Sequence, residues 1–195
     1  MLICCLLNFE QVFCYSFFTM NETLKEHFPF RIQPANEDET YMLAALKEAW
    51  KAFVKGEVPV GAILVKEGKV IARGHNQVEM LRDATAHAEM LCITVAEAAE
   101  DNWRLNGATL YCTIEPCSMC AGAMLLSRVS TLVWGAPDIR HGANGSWVNL
   151  FGKPHPTHEI QVRNGILADF CAMLMQDFFK KRRLENKNNE LGKNP

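Results

Sequence analysis

Residues 108–134 read ATLYCTIEPCSMCAGAMLLSRVSTLVW. Ala108 to Ile114 is an apolar, β-rich run, Cys117 to Leu126 carries the Ala, Met and Leu of a helix, and Thr131 to Trp134 is strand-like again. Strand, helix, strand is the signature of an alternating α/β chain. Working outward, Thr85 precedes the alanine-rich stretch Ala86 to Ala99, which predicts a helix. Val58 to Val65 and Lys69 to Ala72 predict two strands, and Glu67-Gly68 between them predicts a hairpin. From Asn36 to Phe53 the residues Met42, Leu46, Ala49 and Phe53 recur at helical spacing, with Asn36 and Glu39 placed as an N-terminal cap and Gly56 as a stop.

On the other side, Gly135 to Ser146 carries Gly135, Gly142 and Gly145 with Asp138, Arg140 and His141, the composition of a loop lining a site. Glu159 to Arg163 predicts a short strand. A last helix from Ile166 to about Leu184 is expected to bury Ile166, Phe170, Leu174 and Phe178 and to end in Lys180-Lys181-Arg182-Arg183. The tail 185–195 has little to bury and is expected to be disordered.

The chain has 195 residues, 49% hydrophobic and 22% charged, which suits one globular domain and excludes long disorder or a collagen-like repeat. Its formal net charge of −2 leaves no global attraction for phosphate, so a nucleic-acid partner needs a local basic patch. Residues 1–19 are apolar and hold Glu10 as their one charge, but no basic residue precedes the run and Asn8, Glu10 and Gln11 interrupt it. That is neither a complete secretory signal nor a membrane span. We read 1–19 as an apolar extension, 20–36 as a polar leader and 37–184 as the functional domain, in a cytoplasmic protein that does not enter a membrane.

Eight cysteines could form disulfides, but Cys117 and Cys120 form a CxxC in a chain too large to need staples, so reduced thiols and a metal come first. Three residues apart on a helical turn, the two face one way, and His87 completes a set of three ligands. Three ligands leave zinc an open position. Glu89 lies two residues from His87 and can approach the same centre only near a helix end, which the position after Thr85 supplies. An open zinc site with a carboxylate beside it is equipped for hydrolytic deamination. Two other readings stay in view: a closed structural site with Cys92 or Cys112 as fourth ligand, and a redox-active CxxC.

The H-x-E and P-C-x-x-C pattern is that of the zinc deaminases. Beyond it, several stretches resemble the bacterial tRNA-specific adenosine deaminases of the cytidine/deoxycytidylate deaminase superfamily. They are Glu57-Val58-Pro59-Val60-Gly61-Ala62, Asn76, Thr85 to Glu89, Glu115 to Met124, Gly135 to Asp138, Gly142 to Ser146 and Gly165 to Ala168. The likeness spans about Asp38 to Arg183. It implies a three-layer α/β/α fold with a central mixed sheet of about five strands, a homodimer, and conversion of adenosine to inosine at the wobble position of a tRNA anticodon.

Carried over by position, His87, Cys117 and Cys120 hold one Zn2+ per chain and Glu89 shuttles protons. Asn76 and the N–H of Ala88 contact the flipped base, and Asp138 contacts the ribose. Lys180, Lys181, Arg182 and Arg183 are candidate RNA contacts. Asp83-Ala84-Thr85 departs from the family's Asp-Pro-Thr, which is expected to loosen the turn before His87. His155 and His158 read as surface residues, and Trp50, Trp103, Trp134 and Trp147 mostly as core, with Trp147 placed to stack on a base. The competing functions are deamination of a free nucleobase or nucleotide (guanine, cytosine or deoxycytidylate) and a non-catalytic zinc-stabilised RNA-binding module.

Overall fold

The computed structural model describes residues 32–191. The extension 1–19, residues 20–31 of the leader and residues 192–195 of the tail lie outside the described residues. Helix α1 (Glu37–Val54) begins on Asn36, whose side chain accepts the Glu39 N–H at 2.9 Å, and the Glu39 carboxylate answers by accepting the Ala35 N–H at 2.7 Å. Strands β1 (Gly61–Lys66) and β2 (Lys69–His75) follow as the expected hairpin. Its turn residues Glu67 and Gly68 both lie in the left-handed region, with φ of 51° and 71°, as a two-residue hairpin turn requires.

The remaining elements are α2 (Val78–Leu81), α3 (Ala88–Ala99), β3 (Thr109–Ile114), α4 (Ser118–Leu126), β4 (Thr131–Ala136), β5 (Gln161–Asn164) and α5 (Ala168–Leu191). The five strands form one sheet in the order β2-β1-β3-β4-β5. The pairs β1–β2 and β1–β3 are antiparallel, whereas β3–β4 and β4–β5 are parallel, so the sheet is mixed.

Alternation along the strands sends side chains to two faces. One face packs on α1 and α5, where Phe53 meets Phe178 at 5.9 Å and Tyr41 meets Tyr111 at 5.2 Å between ring centres. The other face presents Ala62, Leu64, Leu110, Cys112, Leu132 and Trp134 to Cys92, Ile93 and Ala96 of α3 and to Cys120 and Met124 of α4. Each large apolar side chain buried here stabilises the fold by about 1.5–3 kcal/mol. Gly74 lets α3 close on β2, because a Cβ there would lie 2.9 Å from Cys92 N and run into the Ala88 carbonyl. The result is the α/β/α sandwich, with the first turns of α3 and α4 packed beside the core.

Three expectations are corrected. Helix α5 runs through residues 185–191, which the sequence assigns to a disordered tail: no proline or glycine stops it before Gly192, and each further residue adds a backbone bond without needing burial. Its buried stripe is Cys171, Leu174 and Phe178, while Phe170 is only half-buried and Ile166 precedes the helix. Trp50 and Trp134 are core, but Trp103 and Trp147 are 48% and 61% exposed. Trp103 instead carries the Arg104 guanidinium over its ring at 3.9 Å.

Candidate active site

His87 is the N-cap residue of α3 and Cys117 that of α4; both have extended backbone, with ψ of 153° and 171°. Neither side chain caps its helix, though a Ser or Asp there would stabilise each by about 1 kcal/mol. Both side chains are left free to meet each other. Cys120 joins them from the first turn of α4. The distances Cys117 Sγ to Cys120 Sγ, Cys117 Sγ to His87 Nδ1 and Cys120 Sγ to His87 Nδ1 are all 3.6 Å.

Zinc bonds of about 2.1 Å to nitrogen and 2.3 Å to sulfur give tetrahedral edges of about 3.6 Å. The three atoms therefore outline one face of a zinc tetrahedron. The hydrogen bond shared with Cys120, followed by that with the His87 ring, pulls the Cys117 thiol down to about 4, while the same shared bond, with burial, pushes the Cys120 thiol up; the bond to Cys117 raises His87. The helix starts that carry the ligands also favour thiolate.

Cys92 and Cys112 stay out of the set. Both are fully buried in the core, and burial pushes their thiols well up. Among the described residues His87, Cys117 and Cys120 are the His, Cys and acidic groups that converge on one point, which disposes of the closed four-ligand reading. His155 bonds Thr157, and His158 lies 2.7 Å from the Val129 carbonyl oxygen.

Glu89 sits in the first turn of α3, 2% exposed, and its Oε2 is buried without a hydrogen-bond partner. Burial pushes its carboxyl up to about 7, against the pull of its own backbone N–H and of His87. An unpartnered buried carboxylate oxygen is costly unless a ligand meets it. No hydrogen bond within the described residues accounts for this oxygen, so packing alone does not explain the carboxylate.

Asn76 follows β2 and is 6% exposed; its Nδ2 donates to Glu57 Oε2 at 3.1 Å. Ala88 is the first residue of α3, where a backbone N–H has no intrahelical acceptor. In the turn before His87, which lacks the family's proline, Asp83 Oδ1 accepts both the N–H and the hydroxyl of Thr85, at 2.8 and 2.7 Å.

Asp138 begins the glycine-rich loop, where its Oδ1 accepts the N–H groups of Arg140 and His141 at 3.0 and 3.2 Å. Its Oδ2 lies 3.3 Å from His141 Nδ1. Lys180, Lys181, Arg182 and Arg183 are all exposed on α5, far along the chain from the other candidates, and Arg182 pairs with Glu185 at 3.5 Å.

Sequence reasoning gave no role to two buried carboxylates, Glu57 and Glu115. Glu115, 1% exposed, accepts from Asn144 N, Ser146 N and Asp138 N at 2.8, 3.2 and 3.2 Å and from the Ser146 hydroxyl. Its place directly before Pro116-Cys117 was the signal to read: an acidic residue at the end of an apolar strand needs donors, and a glycine-rich loop has free ones.

Comparison with known proteins gives the family. The family described as cytidine and deoxycytidylate deaminase zinc-binding region matches residues 35–136. The tRNA-specific adenosine deaminase of Bacillus subtilis (strain 168) is 48% identical over 151 residues, covering 77% of this chain and 94% of that protein. The chloroplastic tRNA(adenine(34)) deaminase of Arabidopsis thaliana is 49% identical over 177 residues, covering 83% of this chain but 14% of that much longer protein. A solved structure from a study of A-to-I editing by tRNA:A34 deaminases superposes with a TM-score of 0.67 at 43% identity, covering 69% of this chain and 98% of the other. The chain thus belongs to the zinc-binding cytidine and deoxycytidylate deaminase family, among its tRNA-specific adenosine deaminases.

Proposed function

We propose that this protein is a zinc-dependent hydrolase that converts adenosine to inosine at the wobble position of a tRNA anticodon. The observation that carries the reading is the 3.6 Å triangle of His87, Cys117 and Cys120 with the unpartnered Glu89 oxygen buried beside it. Zinc held by these three residues supplies the Lewis acidity that makes water nucleophilic near neutral pH. Glu89 accepts a proton from water and delivers it to the departing nitrogen, so water and adenosine leave as inosine and ammonia. A purely structural zinc module has no use for that carboxylate.

Asn76 and the Ala88 N–H hold the flipped base. Asp138 keeps its turn with Oδ1, and its Oδ2, which also faces His141 Nδ1 at 3.3 Å, accepts from the ribose 2′-OH, while the exposed Trp147 offers a face for stacking. Lys180, Lys181, Arg182 and Arg183 follow the phosphate backbone, since the chain's overall charge does not. A homodimer is part of the same reading, supported by the exposed apolar side chains of Met80, Leu81, Leu126 and Ile139. So is a cytoplasmic site of action; among the described residues no helix is long and apolar enough to cross a membrane.

The test is to give the purified protein an anticodon stem-loop RNA with adenosine at the wobble position, and separately free adenosine, guanine, cytosine and deoxycytidylate. Inosine in the RNA and no turnover of the small molecules is the expected result. Faster turnover of a free base would transfer the site to the competing reading.

A further inference from the structure

We infer that Glu57 is a positioning residue that decides which edge of the Asn76 carboxamide faces the substrate. The inference rests on the proposed contact between Asn76 and the base. A carboxamide is nearly symmetric in shape, but one edge accepts and the other donates, and a half-turn about its last bond exchanges them. What selects one hand is the neighbour. Glu57 Oε2 lies 3.1 Å from Asn76 Nδ2, and both residues are buried, at 2% and 6% exposed. The opposite hand would set the amide oxygen against a carboxylate oxygen with no water to separate them, which disfavours it roughly ten- to a hundredfold.

The carboxylate itself cannot turn to follow a flipped amide. Its Oε2 also accepts the Glu79 N–H at 3.2 Å, its Oε1 accepts the Met80 N–H at 2.7 Å, and the Glu57 N–H is tied to the Ala52 carbonyl at 3.0 Å. The Asn76 backbone is held in turn by its N–H to the Val60 carbonyl at 3.0 Å. With Nδ2 turned to Glu57, planarity sends Oδ1 away from it, so Asn76 meets the base with a fixed order of acceptor and second N–H. An amide of fixed hand reads the order of donors and acceptors on a base edge, whereas a freely turning one accepts either order. Glu57 thus acts through Asn76 and touches no substrate.

The test is a set of variants assayed on the stem-loop RNA, with zinc content and melting temperature measured for each. Glu57→Gln permits either hand, because its own amide can donate or accept; it is expected to raise KM about tenfold with kcat changed less and zinc retained. In an Asn76→Ala background the same change is expected to add nothing. Polarity reversal gives the sharper readout. Asn76→Asp sets two carboxylates face to face and should fall below Asn76→Ala. Adding Glu57→Gln restores a donor to the pair while the outer Asp oxygen replaces Oδ1, which is expected to recover at least tenfold in kcat/KM.

Additive losses for Glu57→Gln and Asn76→Ala, or no recovery of Asn76→Asp, would overturn the role of Glu57 while leaving the base contact intact. An unchanged KM in Asn76→Ala alone would overturn both. If Glu57→Gln fails to fold, the comparison of Asn76→Asp with Asn76→Ala beside the natural Glu57 carries the test, and equal activities refute it.

Discussion

Glu115 accepts the backbone N–H of Asn144 at 2.8 Å, so the residue that follows β3 and lies two before the Cys117 ligand also holds the glycine-rich loop. Pro116 and Cys117 reinforce the junction, the first by accepting the Ala143 N–H at 2.9 Å and the second by a β-bridge to Gly142. Ligand turn and loop are one unit. Glu115→Ala orphans several donors, each worth about 1–3 kcal/mol, and is expected to cost about 2–4 kcal/mol in stability. Chemical denaturation gives the loss, and amide exchange should quicken at Asn144 and Ser146. Unchanged protection there would separate the loop from Glu115.

Asp138→Asn keeps an oxygen for the Arg140 and His141 N–H groups but turns the outer oxygen into a donor. Melting temperature should barely move. A charge-assisted bond to a 2′-OH is worth about 1.5–3 kcal/mol, so activity on the RNA stem-loop is expected to fall about ten- to a hundredfold. On the matching DNA the repulsive charge is gone, and the RNA-to-DNA activity ratio should narrow. An unchanged ratio would reduce Asp138 to its turn.

Replacing Lys180, Lys181, Arg182 and Arg183 together by Ala is expected to weaken tRNA binding at low salt. The slope of log affinity against log salt should flatten by about 0.7–0.9 for each phosphate that the variant no longer neutralises. A slope equal to that of the unmodified protein would leave the four residues as a solvated helix face.

His75 supplies a pH test of the fold. Burial, then the Lys55 ammonium 3.0 Å from its Nε2, lowers its pKa, outweighing Glu48 at 3.8 Å from Nδ1; Lys51 adds to the lowering and Glu57 opposes it. The unfolded chain therefore takes up this proton first as pH falls through about 6.5, while the folded protein resists it. Stability tied to His75 is full above that range and is lost on acidification towards the lower folded value. The melting temperature of His75→Gln should accordingly fall less than that of the unmodified protein between pH 7.5 and 5.5. Parallel decreases would show that His75 does not sense the change.

Much of this was legible in the chain. The CxxC at Cys117 and Cys120 and the His87-Ala88-Glu89 run are local patterns, and the structure closes them into one triangle. Asn36 and Glu67-Gly68 announced a cap and a hairpin by residue type, because each meets a backbone demand within a few positions. What escaped were carboxylates whose partners lie far along the chain. Glu57 finds Asn76 across 19 residues and Glu115 finds Asn144 across 29, and Asp38 holds Arg163 from 125 residues away. Such pairs have no period and no spacing rule; the sheet creates them by placing strand ends side by side. The exposure of Trp103 and Trp147 likewise depends on what the fold places beside them, which residue type does not report.

The most direct measurement is sequencing of host tRNA for inosine after incubation with the purified protein and with Glu89→Gln, each first assayed for zinc. Inosine is expected at wobble adenosines with the unmodified protein. With Glu89→Gln, one zinc per chain should remain while the rate drops by about 10²–10⁴ or more. Inosine formed at the normal rate by zinc-loaded Glu89→Gln would contradict the proton-carrying role of Glu89, and tRNA left without inosine by the unmodified protein would contradict the proposed reaction itself.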